Sequence, residues 1–223
     1  FHSRYATRPD GSEVKSEDPK EYLYTMPYST IAKYDVGKRP STVWPGKEQS
    51  PAIKPLATEL IDSVENYVKA NGLDPMRYNI EIKSRKGKDE GKNWPEYHEF
   101  VDKCMELLLS KNLGDRLVVQ CFDARALNYM HEKYPQVKLS YLISKKDTDW
   151  DTYMGKLNFT PDWLSPEFVI VDQTMVDNCR KAGIRLVPWT VDNEADIRRI
   201  LDLHVEAIIT NYPDRVLKIT RGY

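Results

Sequence analysis

From Pro55 onward the sequence alternates between two kinds of pattern, and that alternation constrains the fold more than any other feature. Six short apolar runs read as strands: 78–83 ("YNIEIK"), 116–122 ("RLVVQCF"), 138–143 ("KLSYLI"), 162–168 ("DWLSPEF"), 184–191 ("IRLVPWTV") and 207–212 ("AIITNY"). Between them lie stretches with apolar residues at helical spacing. Leu56, Leu60, Ile61, Val64 and Val68 share one helix face that Gly72 closes, and Phe100, Val101, Cys104, Leu107 and Leu108 share another behind Pro95. Residues 124–134 form a helix ended by Pro135, and 149–157 a further helical stretch. Asp172 caps a helix that Gly183 terminates, and Asp192 or Asn193 caps the next. A strand followed by a helix, repeated, predicts a parallel sheet, because parallel strands need helical crossovers.

Six such units fit an open doubly wound sheet, or six-eighths of a TIM (β/α)8 barrel whose first units lie upstream. No Gly-rich phosphate loop follows any strand, which counts against a nucleotide-binding sheet. Residues 1–55 lack periodicity. They carry the turn signal "RPDGS" at 8–12, four prolines and two glycines between Asp35 and Pro55, and a short helix near 27–33. The expected organisation is a loop-rich segment over 1–55 and the β/α barrel remainder over 56–223. The chain opens at Phe1 rather than Met, so it reads as a processed or excised piece of a longer protein.

Composition narrows the partners. A formal net charge of −1 gives no electrostatic attraction to nucleic acid or anionic membrane. No apolar run approaches the roughly 18 to 20 residues of a membrane span. Cys104, Cys121 and Cys179 are widely spaced and embedded in apolar patterns, so they read as small buried hydrophobes rather than disulfide or zinc partners.

In barrels and open parallel sheets alike, sites lie at the carboxyl ends of strands. Those ends carry Glu81 and Lys83, then Gln120, Phe122 and Asp123, then Ser165, then Trp189, Thr190 and Asp192, and finally Thr210 and Asn211. In the first strand Asn79, Glu81 and Lys83 share one face, and Tyr78, Ile80 and Ile82 the other. Glu81 with Lys83 can be a carboxylate ligand for a hard cation beside an ammonium that holds an anionic substrate, or a structural ion pair. The charge run from Lys83 to Lys92 reads as a solvated loop whose first cations, Lys83 and Arg85, could reach a phosphate. Trp189 is a packing residue or the apolar wall of a small pocket. His98 and His131 lie within helices and His204 at a helix end, so no Ser-His-Asp or Cys-His set is credible.

"NIEIKS" (79–84), "LVVQCFD" (117–123), "LSYLI" (139–143) and above all "RLVPWTVDNEADIRRILDLHVEAIITNYPDRV" (185–216) resemble the glycerophosphodiester phosphodiesterase family in order and spacing. The resemblance covers residues 56–216, and residues 1–55 look like an insertion that precedes the third barrel strand in part of the family. It implies a TIM barrel and metal-dependent hydrolysis of glycerophosphodiesters to glycerol 3-phosphate and an alcohol. It implies Glu81 as a ligand of a divalent cation, Mg2+ or Ca2+, and Lys83 as a phosphate contact. Gln120 and Phe122 would line the site, and Trp189 would wall the glycerol side.

The family's His-Arg-Gly, Glu-x-Asp and His-Asp motifs are absent. His2 stands near where the His-Asp segment would fall, but Ser3 follows it, and it is the single candidate for a catalytic histidine. Cys121 stands where serine is common, and "HVEA" (204–207) replaces a Gly-Val-Asp-Gly. These departures imply a barrel lacking its first two β/α units, whose open edges would be covered by upstream sequence or by a partner such as a second copy. They also leave open a catalytically inactive relative used in binding or assembly. A barrel phospholipase is a third reading, disfavoured by the lack of an amphipathic or basic membrane-binding stretch. Bacterial relatives with this insertion imply a periplasmic or extracellular location.

Overall fold

The computed structural model describes residues 1, 5–40, 46 and 48–221, so His2 lies outside the described residues. The chain forms two compact units, residues 1–76 with 86–96, and residues 77–85 with 97–223.

The first unit is organised by loops. Its small core is Ala6, Val14 and Tyr34, with Phe1, Tyr5 and Val36 packed around it. The Pro-Asp-Gly signal is a turn: Gly11 takes φ +88°, its N–H bonds to Arg8, and the flanking Thr7 and Glu13 pair. Arg8 bridges Asp18 at 2.6 Å and Glu21 at 2.9 Å, so a guanidinium fork closes this loop where no sheet could. Helix α1 (Tyr28–Ile31) is one turn, and α2 (Ala57–Ala70) is the unit's one long helix among the described residues. Of the five apolar positions expected on one face of α2, Ile61 and Val68 are buried, whereas Leu56 and Leu60 are exposed.

The second unit holds β1 (Tyr78–Glu81), α3 (Tyr97–Leu109), β2 (Leu117–Cys121), α4 (Ala124–Lys133), β3 (Lys138–Ile143), α5 (Trp150–Met154), β4 (Trp163–Pro166), α6 (Gln173–Ala182), β5 (Arg185–Leu186), α7 (Glu194–Asp202) and α8 (Pro213–Arg221). Its strands form one parallel sheet in the order β1-β2-β3-β4-β5. Each new strand is added on the same side of the last. A doubly wound sheet would reverse that direction at a switch point, so the sequential order is an arc of a (β/α)8 barrel.

Helix starts follow short polar side chains. The carboxylates of Asp123, Asp149 and Asp172 and the amide oxygen of Asn193 accept backbone N–H groups at the starts of α4, α5, α6 and α7. Gly183, at φ +70°, ends α6 as expected. Asn193 rather than Asp192 is the cap of α7. The Asp192 carboxylate instead accepts from Thr210 Oγ1 at 3.1 Å, Asn211 N at 2.8 Å and Asn211 Nδ2 at 2.9 Å.

One expected strand is reduced to two residues and another is not a strand. The run 184–191 is a strand only over Arg185–Leu186, although Val187 and Trp189 still donate to Leu164 and Pro166 beyond it. Residues 207–212 are not a sixth strand. Ile209 exchanges backbone hydrogen bonds with Pro188 and Val191, but Pro188 has no N–H to extend the ladder, and Asp192 draws the backbone of Asn211 away.

The two faces of the sheet differ in kind. Ile82, Val119, Cys121, Leu139, Tyr141, Ile143, Leu164 and Leu186 are each at most 2% exposed and belong to the helix-covered face. Burial pushes the Cys121 thiol up to about 12, so this cysteine is an inert core residue, as expected. The alternate positions face the barrel interior and include the polar or amphipathic Glu81, Gln120, Ser140, Trp163 and Ser165 beside the apolar Val118 and Leu142. Among the described residues no helix is long and apolar enough to cross a membrane.

Candidate active site

Alternation along β1 turns Glu81 to the interior at the strand's carboxyl end, level with Gln120 on β2, which in turn is level with Ser140 on β3. The Glu81 side chain is 23% exposed, and its Oε2 accepts from Lys83 Nζ at 2.7 Å. Lys83 itself is 77% exposed, so the pair contributes at most about 1 kcal/mol to stability. Its position matters more than its energy: a carboxylate and an exposed ammonium stand together at the mouth of the arc.

Gln120 is 8% exposed, and its carbonyl oxygen Oε1 is buried with no hydrogen-bond partner among the described residues. An orphaned buried acceptor costs about 1–3 kcal/mol, which a hydroxyl or ammonium donor entering the site would recover. On the neighbouring strands the hydroxyls of Ser140 and Ser165, both fully buried, lie 2.7 Å apart. Each satisfies the other, so neither of these two buried hydroxyls is orphaned.

Phe122 and Trp189 form the apolar side. Their rings meet edge to face, 5.5 Å apart at 87°. The Trp189 indole N–H donates to the Ser165 carbonyl at 2.8 Å, which fixes the ring's orientation, and Phe122 stays 44% exposed. Two aromatic faces, a buried amide acceptor and a carboxylate–ammonium pair suit a small polar ligand with a hydrocarbon backbone and an anionic group.

The strand exits are tied together. Asp123 accepts from Ser84 Oγ at 2.9 Å, from Arg125 Nε at 3.0 Å and from Arg125 NH2 at 2.7 Å. Burial alone would raise its carboxyl, but the hydrogen bonds from Arg125 and Ser84 prevail and hold it below the ordinary value. Cys121 Sγ also donates to the Ile82 carbonyl at 2.9 Å. Side-chain hydrogen bonds thereby link the exits of β1 and β2.

The strand ends thus place Lys83 on Glu81, Gln120 level with Glu81, and Phe122 against Trp189. Ser84 and Ser140 were not singled out in the sequence. The signal for Ser140 was its position in "KLSYLI", where period-2 alternation puts it on the interior face. No histidine joins the group among the described residues. His98 packs on Tyr97 and Tyr129, His131 stacks on Phe159 at 4.1 Å, and His204 follows α7 with φ +54°.

A divalent cation fits this set only in part. Glu81 offers one hard oxygen ligand, but among the described residues no three His, Cys, Asp or Glu side chains cluster to hold a metal. Six or more oxygen donors are usual for Mg2+ and Ca2+.

Comparison with known proteins adds the family. The chain is 30% identical over 120 residues to a glycerophosphodiester phosphodiesterase of Bacillus subtilis (strain 168), covering 53% of this chain and 41% of that protein. It is 25% identical over 126 residues to a glycerophosphodiester phosphodiesterase of Caldanaerobacter subterraneus subsp. tengcongensis, covering 56% and 51% respectively. The match therefore spans about half the length of these curated relatives. Among solved structures, an Oleispira antarctica phosphodiesterase in complex with the product sn-glycerol-3-phosphate superposes with a TM-score of 0.71 at 20% identity, over 99% of this chain and 78% of that one. A Silicibacter pomeroyi DSS-3 protein assigned to the glycerophosphoryl diester phosphodiesterases superposes with a TM-score of 0.83 at 22% identity, over 100% of this chain and 77% of that one. These likenesses bear out the expected fold, an incomplete TIM barrel. The sequence pattern of the glycerophosphoryl diester phosphodiesterase family matches residues 10–215, and the chain belongs to that family.

Proposed function

We propose that this chain supplies most of the substrate-binding wall for hydrolysis of glycerophosphodiesters to glycerol 3-phosphate and an alcohol. The observation that carries the reading is the placement of Glu81 and Lys83 at the carboxyl end of β1, beside buried Gln120 and the Phe122–Trp189 corner. In this reading Glu81 is one ligand of a hard divalent cation, Mg2+ or Ca2+, which would polarise a phosphoryl oxygen when bound. The ammonium of Lys83 swings from Glu81 to a phosphate oxygen, which its exposure permits. Gln120 Oε1 accepts a hydroxyl of the glycerol, and Trp189 and Phe122 cover its carbon backbone. Proton transfer to the departing alkoxide needs a group outside the described set, and His2 is the candidate within this chain.

The test is hydrolysis of a glycerophosphodiester panel with and without Mg2+ or Ca2+, by this chain alone and joined to two preceding β/α units of the family. Metal-dependent release of glycerol 3-phosphate is expected from the joined protein, with at least about a hundredfold loss in Glu81→Gln. Undiminished turnover in that variant removes Glu81 from the site.

A second reading is favoured by one observation, the absence of a histidine at the strand ends among the described residues. There the chain is a catalytically inactive relative acting in binding or assembly. The joined protein then binds glycerol 3-phosphate without turnover. The division at residue 55, closure of the arc by upstream sequence or a second copy, and a periplasmic or extracellular location belong to the same proposal. Limited proteolysis, sedimentation and cell fractionation test them in turn.

A further inference from the structure

Strand β4 brings to the mouth an acceptor that the proposed function does not use. Trp163 and Ser165 lie on its interior face, and pairing continues one residue past its end. Glu167 N donates to Ile143 O at 2.9 Å, and Glu167 bridges to Trp189 in parallel register. Alternation therefore carries Glu167 to the same interior face, at the carboxyl end, as the cross-strand neighbour of Trp189. Phe168 N donates to Trp189 O at 2.7 Å and the Trp189 indole to Ser165 O at 2.8 Å, so hydrogen bonds join the two segments.

The Glu167 carboxylate is oriented but only partly used. It is half-buried, and its Oε2 accepts from Lys145 N at 2.9 Å, at the exit of β3. No ammonium or guanidinium bridges it among the described residues. An ionised carboxylate accepts up to about four hydrogen bonds and donates none, so one backbone N–H leaves most of its capacity free. Beside aromatic rings it suits either a hydroxyl or an alkylammonium. Lys145 and Lys146 are exposed on the same loop, and their positive field disfavours a second cation there. The matching donor is a neutral hydroxyl.

Glycerol 3-phosphate has two hydroxyls, and the proposed function gives one of them to Gln120. We propose that Glu167 is a specificity-determining residue that accepts the other, so that the site takes glycerophosphodiesters whose glycerol is fully deacylated. This rests on the proposed function in one respect, the placement of the glycerol against Trp189. An acyl chain on either hydroxyl removes a donor and leaves a carboxylate or an amide oxygen desolvated without a partner. That penalty exceeds what the lost hydrogen bond contributed, so such a site rejects the blocked analogue more strongly than it favours the free one. Lysophospholipids, with one hydroxyl acylated, are then poor ligands although they carry the same phosphodiester.

The test is binding to this chain, followed by calorimetry and by the indole N–H signal of Trp189, identified through Trp189→Phe. The ligands are sn-glycerol 3-phosphate and its 1-deoxy and 2-deoxy analogues, each lacking one hydroxyl. Each analogue is expected to bind the parent about tenfold more weakly than glycerol 3-phosphate. Glu167→Ala should erase the discrimination against one analogue and keep that against the other, and Gln120→Leu should do the reverse. Glu167→Gln, which keeps an acceptor, should retain most of the selectivity, with circular dichroism unchanged in every variant. If the parent binds glycerol 3-phosphate and Glu167→Ala keeps both preferences, Glu167 only anchors the loop after β3, and the proposal fails while the proposed function stands. If glycerol 3-phosphate leaves the Trp189 signal of the parent unmoved, the placement of the glycerol fails and the proposal with it. A larger shift with choline than with glycerol 3-phosphate, abolished in Glu167→Ala, also overturns it, because the acid and the rings would then form a cation site.

Discussion

The two faces of the five-stranded sheet are made from the same strands, yet one is closed and the other is unfinished. On the helix side, Val119, Cys121, Leu139, Ile143 and Leu164 are each at most 1% exposed. On the interior side, the same strands carry Glu81, Gln120, Ser140, Trp163 and Ser165, and two buried polar atoms, Gln120 Oε1 and Trp163 Nε1, have no partner among the described residues. A sheet stabilises itself through whichever face it buries completely. What it leaves polar and unpaired on the other is a cost to stability, tolerated where a ligand or another chain supplies the partner. The helix side accounts for the fold, and the interior side carries the polar groups on which the proposed function rests.

The largest expected effect breaks this comparison most easily. Leu164→Ala on the helix side should cost about 2–5 kcal/mol, read as a drop in the urea midpoint with unchanged slope. A cost below about 1 kcal/mol would mean that the helix face does not carry the fold.

Next is the buried hydroxyl pair. Ser165→Ala should cost about 1–3 kcal/mol by stranding the Ser140 hydroxyl, and adding Ser140→Ala should recover much of that loss. If the double variant is the sum of the singles, the two hydroxyls do not act as a pair.

A smaller effect sharpens the role of Asp123, which ties the exits of β1 and β2. Its folded value is below its unfolded one, because the bonds from Arg125 and Ser84 outweigh burial. Its stabilisation is therefore complete above the ordinary carboxylate value of 3.8 and is lost as pH falls through the depressed folded value. Asp123→Asn should flatten the acid limb of the stability curve and leave its neutral shape intact. An unchanged acid limb would mean that the carboxylate is not held as its geometry implies.

The sequence made some of this legible and concealed the rest for identifiable reasons. The β/α rhythm, the Asp172 and Gly183 signals and the position of Glu81 all rest on local patterns, and the structure places them as expected. The strand over 207–212 was an overreach, since Pro188 has no N–H and Asp192 holds Asn211, a contact nineteen residues away in sequence. Asn193, not Asp192, caps α7 for the same reason: which of two adjacent acceptors turns to the helix depends on what the other finds across the chain. The Ser140–Ser165 pair and the orphaned oxygen of Gln120 come from strand register, which no single strand reveals. Arg77, Arg116 and Arg185, at the starts of three different strands, line one cavity, a cluster invisible along the chain.

The most direct measurement is a pair of readings on Gln120→Leu, which removes the orphaned oxygen at nearly constant volume. Stability is read by urea unfolding, and binding of sn-glycerol 3-phosphate by the indole signal of Trp189. An interior kept polar for a ligand predicts a variant as stable as the parent within about 1 kcal/mol, or more stable, that loses the ligand-induced shift. A variant that unfolds more easily and still shows the full shift would contradict it, and Gln120 would then belong to the fold.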